Sequence, residues 1–381
     1  MKIERIELRQ IQMPYVFPFE TSVDRDDNKD CLLVRIWADG VAGWGESPVT
    51  AKPYYKEETI DTAWPILANF AIPRVLGREF SDPREIAHWL HPIRRNYLTK
   101  SGLEAAAWDA HAQSRGISLA RALGGTRAKV AVGMSVGIEP TVDAVLRRIE
   151  TWLGQGYQRI KMKIKPGFDL EVVEAIRRRF GPIGLQVDAN TAYTLEDTAR
   201  LRSLDAYDLM MIEQPLDHDD IIDHATLQRE LRTPLCLDES ICSAEDARKA
   251  LDLGACRIIN IKAARMGGLA EALRCHDVCR ARGVPVWCGG FLETGVGRAA
   301  NVALSALENF TLPADLGASR RYFHEDIIDP WFEVNADGTV DVPTGPGLGV
   351  AVVEPLVEKY TLRKETFRAQ GERTHGGGRT A

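Results

Sequence analysis

No run of apolar residues in this chain approaches the length of a membrane helix, which excludes a helical spanning segment. The first residues, Met1-Lys2-Ile3-Glu4-Arg5-Ile6-Glu7-Leu8, alternate like a strand and lack the apolar stretch of a secretory signal. No basic tract stands out and the formal net charge is −6, which argues against a nucleic-acid partner. The seven cysteines are odd in number and irregularly placed, so they read as reduced thiols of a cytoplasmic protein. Cys275 and Cys279 lie one helical turn apart without histidine or cysteine partners nearby, and read as packing residues. The eight histidines show no metal-ligand spacing.

What the chain does have is a repeat. Lys163 to Asp188, Asp188 to Glu213 and Glu213 to Asp238 are each 25 residues apart, and Asp238 to Lys262 is 24. Asp188, Glu213, Asp238 and Lys262 each close a short apolar run with strand character, and Lys163 lies in the alternating run Ile160 to Ile164. One strand plus one amphipathic helix per repeat is the signature of a parallel (β/α) barrel, whose inward residues converge at the C-terminal strand ends. Five charged groups far apart in sequence are therefore expected to meet in space.

At 381 residues the chain exceeds one barrel, so a barrel plus a further domain is the natural division. Residues 1–50 read as a small antiparallel sheet, with strands at Ile3–Gln12, Cys31–Ala38 and around Gly43–Glu46. Between the first two lies a long polar loop, Tyr15 to Asp30, of a length that marks a lid or disorder. Helices are expected over Lys56–Ala71, Asp82–Arg94 and Ser101–Arg115, the last opened by a Ser101/Glu104 capping box. Barrel strands follow at Val130–Val136 and Arg159–Ile164, then at the four runs ending in Asp188, Glu213, Asp238 and Lys262, and at Val284–Cys288. A short eighth strand near Leu312 would close the ring. The expected barrel helices include Leu195–Ser203 and Val302–Leu307, and the tail from Tyr322 folds back on the N-terminal sheet.

Side chains alternate along a strand, so Lys161 and Lys163 point to one side. A strand edge with a basic face would explain them, but a closed barrel has no edge. Lys165 continues the alternation, yet Pro166-Gly167 ends the strand and sends it to solvent. Three converging carboxylates, Asp188, Glu213 and Asp238, repel one another and need a cation. Oxygen-only ligands favour Mg²⁺ or Mn²⁺ over Zn²⁺. Asn190 can support the site from the strand end of Asp188; Glu239, beside Asp238, points elsewhere in a strand and reads as a residue behind the site.

Together, Lys161-x-Lys163, Asp188 with Asn190, Glu213-Gln214-Pro215, Asp238-Glu239-Ser240 and Lys262 resemble the enolase superfamily, over nearly the whole chain. That superfamily is known for lysine or histidine bases working with Mg²⁺, a property of the family rather than a deduction from these residues. Lys-x-Lys with a lysine on strand six marks its muconate lactonizing enzyme subgroup. The segments Ile261–Gly268 and Gly289–Ala299 closely resemble the N-succinylamino acid racemase/o-succinylbenzoate synthase family. Dipeptide epimerases carry an Asp-x-Asp pair near strand eight, where this chain reads Ala314-Asp315-Leu316-Gly317-Ala318. Muconate cycloisomerases share the lysines and carboxylates and stay open as an alternative.

The resemblance implies an α/β fold, a modified TIM (β/α) barrel over residues 126–318. An α+β capping domain is built from residues 1–125 and the returning segment 319–381, whose last residues are expected to be disordered. It implies a homo-oligomer, and a metal-dependent abstraction of the proton α to the carboxylate of a small molecule. Lys163 and Lys262 are the expected bases, Asp188, Glu213 and Asp238 the metal ligands, Lys161, Ser135, Asn190 and Glu293 substrate contacts, and Glu239 and Arg265 lie behind them. Removing such a proton places two negative charges on one enediolate, which the metal and Lys161 would stabilise. Lys163 must be a neutral amine to act as base, a form that two neighbouring cations favour. A non-catalytic barrel is the competing class of function; a module without chemistry has no reason to keep buried lysines against a metal.

Overall fold

The computed structural model describes residues 1–20 and 25–369. The tip of the expected loop, 21–24, and the expected disordered tail, 370–381, lie outside the described residues.

The N-terminal region is built on three antiparallel strands, β1 (Ile3–Glu20), β2 (Arg25–Ala38) and β3 (Val41–Ser47). The long loop expected between the first two is mostly hairpin. Pairing runs from Ile3 with Ala38 out to Pro14 with Asn28 and, after an irregularity, to Glu20 with Arg25. Its polarity suits a loop, but the return strand alternates exposed Arg25 and Asp27 with partly buried Asp26 and Asn28, so polar residues occupy both of its faces. The helix Tyr97–Ser114 packs across β3. A Cβ on Gly45 would stand 2.0 Å from the Gly102 carbonyl oxygen, so glycine is what permits that approach.

Eight further strands follow: β4 (Lys129–Ala131), β5 (Gly133–Val136), β6 (Arg159–Lys163), β7 (Gly184–Asp188), β8 (Ile212–Glu213), β9 (Leu235–Leu237), β10 (Ile258–Ile261) and β11 (Val286–Cys288). β5 to β11 form one curled parallel sheet in sequential order. The expected eighth strand is instead an extended segment that closes the ring with single bridges, Phe310 to Val286 and Ala314 to Val132. Proline at 313 withholds one donor there. Helices such as Val142–Gly154, Leu170–Phe180 and Ala244–Leu253 cover the sheet. Ile160, Met162, Val187, Leu237 and Ile261 point outward into the core shared with them. The expected helix at Leu195–Ser203 is broken into a 3₁₀ turn and Thr198–Ser203, and that at Val302–Leu307 begins earlier and spans Gly295–Ser305.

The tail adds β12 (Ile328–Asp329), β13 (Thr339–Asp341), β14 (Ala351–Val352) and β15 (Thr361–Arg368). β13 pairs with β4 and β12 with β14, while β15 lies antiparallel on the outer edge of β1. No helix among the described residues is long and apolar enough to cross a membrane.

Buried carboxylates join the N-terminal region to the barrel. Glu104 does not cap its own helix, which begins four residues before Ser101 at Tyr97 and takes its N-terminal N–H bonds from Glu58. Glu104 accepts instead from the backbone N–H groups of Leu269 and Ala270 at 2.8 and 2.9 Å, capping a barrel helix, Leu269–Ala281. Glu46 does the same for the helix Gly295–Ser305, accepting from the N–H groups of Thr294 and Gly297. Burial raises Glu104 to about 7, against an ordinary 4.5. A carboxyl raised in this way favours the fold below about pH 4.5, and that contribution is lost as pH rises through 7. Denaturation of wild type and Glu104→Gln between pH 5 and 8 should therefore show the wild type losing roughly 1–3 kcal/mol relative to the variant. Parallel pH profiles would contradict it.

Candidate active site

β6 sends Arg159, Lys161 and Lys163 inward, as the two-residue period requires. From the neighbouring strands Gln186 and Asp188, Glu213, Cys236, Asn260 and Trp287 face the same interior. Asp238 and Lys262 stand one residue past the ends of β9 and β10. The lower barrel is apolar, with Met211, Cys236, Ile258 and Trp287 in one cluster. Charge begins above it. Lys165 is exposed, beyond the strand end.

Lys161 is the centre of the charged layer. Its Nζ lies 3.3 Å from Asp188 Oδ2, 3.3 Å from Glu213 Oε2 and 2.7 Å from Asp315 Oδ2, and it rests over the Trp287 ring. Burial works against its charge, but the three carboxylates overcome that and raise its pKa well above the ordinary value. Lys163 Nζ is 2.7 Å from Asp188 Oδ2 and also donates to Asn190 Oδ1 at 2.5 Å. Asp188 is buried, yet Lys163 and Lys161 hold it below the usual carboxylate range. Glu213 accepts from Gln186 and Asn260, and burial together with Asp188 pushes it up to about 8.

At the other end of the row, Lys262 Nζ is 2.8 Å from Asp238 Oδ2 and 2.7 Å from the Tyr55 hydroxyl. Arg265 is fully buried and donates to Asp238 Oδ1, to the Ile241 carbonyl at 2.9 Å and to the Asn260 carbonyl at 2.7 Å. Although burial opposes it, Arg265 and Lys262 draw Asp238 far below its ordinary range. Phe291 packs edge-on to Tyr55, and both rings lie about 5 Å from the Lys262 ammonium.

A cavity of about 440 Å³ opens above this layer, between the barrel mouth and the N-terminal hairpin. Lys161, Lys163, Lys262, Asn190 and Ser135 all line it, while Asp188, Glu213 and Asp238 lie beneath them. Glu239 also lines it, contrary to strand alternation, because β9 has already ended at Leu237; it accepts from Asn190 Nδ2 at 3.0 Å. Glu293 is not brought to the cavity. Its carboxylate is bound by Phe291 N and Asn301 Nδ2, so it shapes the Phe291 turn from behind. Arg265 touches Asp238 and not the cavity wall. One site residue has no role in the sequence pattern: Asp315, which joins Lys161 to Ser135 and Arg159; Tyr55 joins Lys262 to Asp238. Asp315 stands on the ring-closing segment at the level of the other strand-end acids, and that position was the available signal.

The donor chemistry fits a hard divalent cation. The carboxylates of the row offer only oxygens, Glu213 is raised by burial and by Asp188 beside it, and Glu239 Oε2 is buried without a partner. The lysines stand among the acids, with Lys161 between Asp188 and Glu213. Among the described residues the acids and histidine whose ligand atoms fall within 4.8 Å of one another are the exposed Asp217, His218 and Asp219 on a loop, not the predicted trio.

Comparison with known proteins agrees with this architecture. Residues 5–124 match the family described as mandelate racemase/muconate lactonizing enzyme, N-terminal domain, and residues 144–356 match enolase C-terminal domain-like proteins. The o-succinylbenzoate synthase of Geobacillus kaustophilus is 52% identical over 96% of this chain and 98% of its own length. The N-succinylamino acid racemase of Thermus thermophilus is 47% identical over 95% and 98%. The crystal structure of an enolase superfamily member from Listeria innocua superposes with a TM-score of 0.94 at 40% identity, covering 97% of this chain and 99% of that one.

Replacing Asp315 by asparagine leaves Lys161 and Arg159 buried with less counter-charge. Urea denaturation of Asp315→Asn should show a loss of about 3 kcal/mol, the usual result of removing one member of a buried ion pair. A loss below about 0.5 kcal/mol would mean that Asp188 and Glu213 suffice for Lys161.

Proposed function

The chain belongs to the N-succinylamino acid racemase/o-succinylbenzoate synthase family of the enolase superfamily, and on that premise we propose that it abstracts the proton α to a carboxylate, as an N-succinylamino acid (N-acylamino acid) racemase, an o-succinylbenzoate synthase, or both. The observation that carries the reading is the placement of two amines. Lys163 and Lys262 lie on strands separated by three others, hold opposite ends of the carboxylate row, and open onto one cavity.

Family membership implies a divalent metal, and Asp188, Glu213 and Asp238 would hold it as Mg²⁺ or Mn²⁺, supplying a Lewis acid to the substrate carboxylate. Lys161, fixed by Asp315, places a cation where negative charge grows as the α-proton leaves. In racemisation Lys163 and Lys262 work in turn, one removing the proton from one face of the α-carbon and the other returning it to the opposite face. In dehydration one lysine moves the proton while the other stabilises charge. Asn190 aims Lys163, and Tyr55 aims Lys262. The rings of Tyr55 and Phe291 wall the Lys262 side with apolar surface and keep water from it. The same reading makes the protein a homo-oligomer acting on a small carboxylate, and the seven free cysteines suit a cytoplasmic one.

The test is exchange of the α-proton in D₂O with each enantiomer of an N-succinylamino acid. Lys163→Ala should lose exchange from one enantiomer, Lys262→Ala from the other, and neither should racemise. Normal exchange of both hands in either variant would refute the two-base assignment. Wild-type dehydration of the o-succinylbenzoate precursor without exchange of either amino acid would leave the synthase and remove the racemase. Treatment with a chelator should abolish activity, and Mg²⁺ or Mn²⁺ should restore it; full activity in metal-free protein would exclude the metal role.

A further inference from the structure

One buried charge has no part in the chemistry proposed above. Lys29 sits on β2 opposite Met13, and its neighbours along that face, Ile11, Cys31 and Leu33, belong with Met13 to the apolar core shared with the barrel. Strand alternation therefore calls for an apolar residue at 29, yet a lysine stands there with 1% of its surface exposed. A lysine is seldom buried so fully without a close partner. Glu46 is not that partner at hydrogen-bond range. Its Oε1 is 3.8 Å from Lys29 Nζ, and its oxygens already accept from Thr294 and Gly297. The contact at 2.9 Å is with the Phe291 carbonyl oxygen.

The Phe291 turn is held from two sides. Phe291 N donates to Glu293 Oε2 at 2.9 Å, and the Phe291 carbonyl accepts from Lys29. Leu292, the next residue, has φ of 54°, a left-handed conformation that a bulky residue keeps only where its surroundings impose it. The ring carried by this turn lies 5.0 Å from the Lys262 ammonium and edge-on to Tyr55. Lys163 stands at the other end of the carboxylate row, where its partners are Asp188 and Asn190. The contacts that start at Lys29 thus reach one of the two bases and not the other.

We propose that Lys29 is a positioning residue for one half of the reaction: by holding the Phe291 carbonyl it keeps the Phe291 ring against Lys262, and so sets proton transfer at that lysine without touching Lys163. A lysine side chain has many rotamers, and a ring face against its ammonium limits them. An apolar residue at 29 offers no donor that reaches across the joint to the turn. Without that donor the turn keeps only the Glu293 contact, Leu292 is free to relax, and the ring no longer confines the Lys262 ammonium. The inference rests on the two-base reading above, but it concerns the balance between the two faces of the α-carbon and not the chemistry at either.

The experiment follows α-proton exchange in D₂O on the Mg²⁺-loaded enzyme, one enantiomer of an N-succinylamino acid at a time. The hand served by Lys262 is the one that Lys262→Ala ceases to exchange. Lys29→Met should slow that hand by about tenfold or more in kcat, with KM changed less than about twofold, while the hand served by Lys163 changes less than about threefold. A fall of equal size on both hands makes Lys29 a packing residue and overturns the proposal, as does no fall at all or a fall confined to the hand of Lys163. A double-mutant cycle with Phe291→Leu locates the effect. Adding Lys29→Met to Phe291→Leu should slow the hand of Lys262 by less than about threefold further, and a further loss of about tenfold would show that Lys29 acts by another route. If Lys29→Met does not fold, Lys29→Gln is read in the same way, since its side chain is polar but stops short of the carbonyl. A wild type that exchanges neither hand refutes the two-base reading itself. One that exchanges both hands, slowed equally by the substitution, refutes only the role of Lys29.

Discussion

An ammonium group keeps its charge inside a barrel only if carboxylates surround it, and carboxylates kept that close need a cation among them. Lys161 is where the two requirements meet. Asp188 and Glu213 come to it from adjacent strands and Asp315 from the segment that closes the ring. Remove the lysine and three acids face one another; remove an acid and the ammonium is exposed to the low dielectric of the interior. Buried ion clusters of this kind seldom add stability over apolar packing. The apolar layer beneath and the outward-facing aliphatic residues hold the barrel.

The same economy of buried acids shapes the joint between the N-terminal region and the barrel. Glu104 and Glu46 each reach across it to the start of a barrel helix, where unpaired N–H groups and the helix dipole favour an anion. Asp109 binds Trp44 N on one side and Leu348 N on the other. Lys29, almost fully buried on β2, donates to the Phe291 carbonyl at 2.9 Å and stands 3.8 Å from Glu46. One connected set of polar contacts thus runs from the hairpin through the Phe291 turn to the aromatic wall beside Lys262. The wall of the cavity is positioned by residues that never touch it.

The barrel was legible because its repeat is covalent: strand, helix and strand-end acid recur at a spacing that only a parallel ring explains. The convergence of Lys161, Lys163, Asp188, Glu213, Asp238 and Lys262 follows from that geometry. What was illegible depended on partners distant in sequence. Ser101 and Glu104 have the spacing of a capping box, but Glu104 finds better donors in another helix. Gly295 and Gly297 are weak helix formers, yet Glu46 and Asp326 satisfy the first N–H groups of the helix there from outside. Glu239 defied alternation because its strand had stopped two residues earlier. Asp315 gave little sign of itself, since its segment pairs by single bridges and has no strand pattern to read. The hairpin reads as a loop because its return strand carries polar residues on both faces, the outer exposed and the inner only partly covered, and shows no apolar alternation.

The seam between β1 and β15 has a consequence for how the molecule comes into being. β1 is made before every other described strand, and the strand that covers its outer edge is made after them all. About 350 residues separate the two, which at roughly 5–20 residues per second is on the order of 20–70 s of synthesis. Throughout that interval the nascent sheet presents an unpaired row of backbone groups to every neighbouring chain. Glu7 and Arg9, paired with each other at 2.6 Å on that strand, place opposite charges along the open row. Charge on an edge strand deters foreign strands without preventing the native one from docking. In the finished protein the pair is largely covered, and Arg9 also donates to Glu358 and Thr361 of the returning tail.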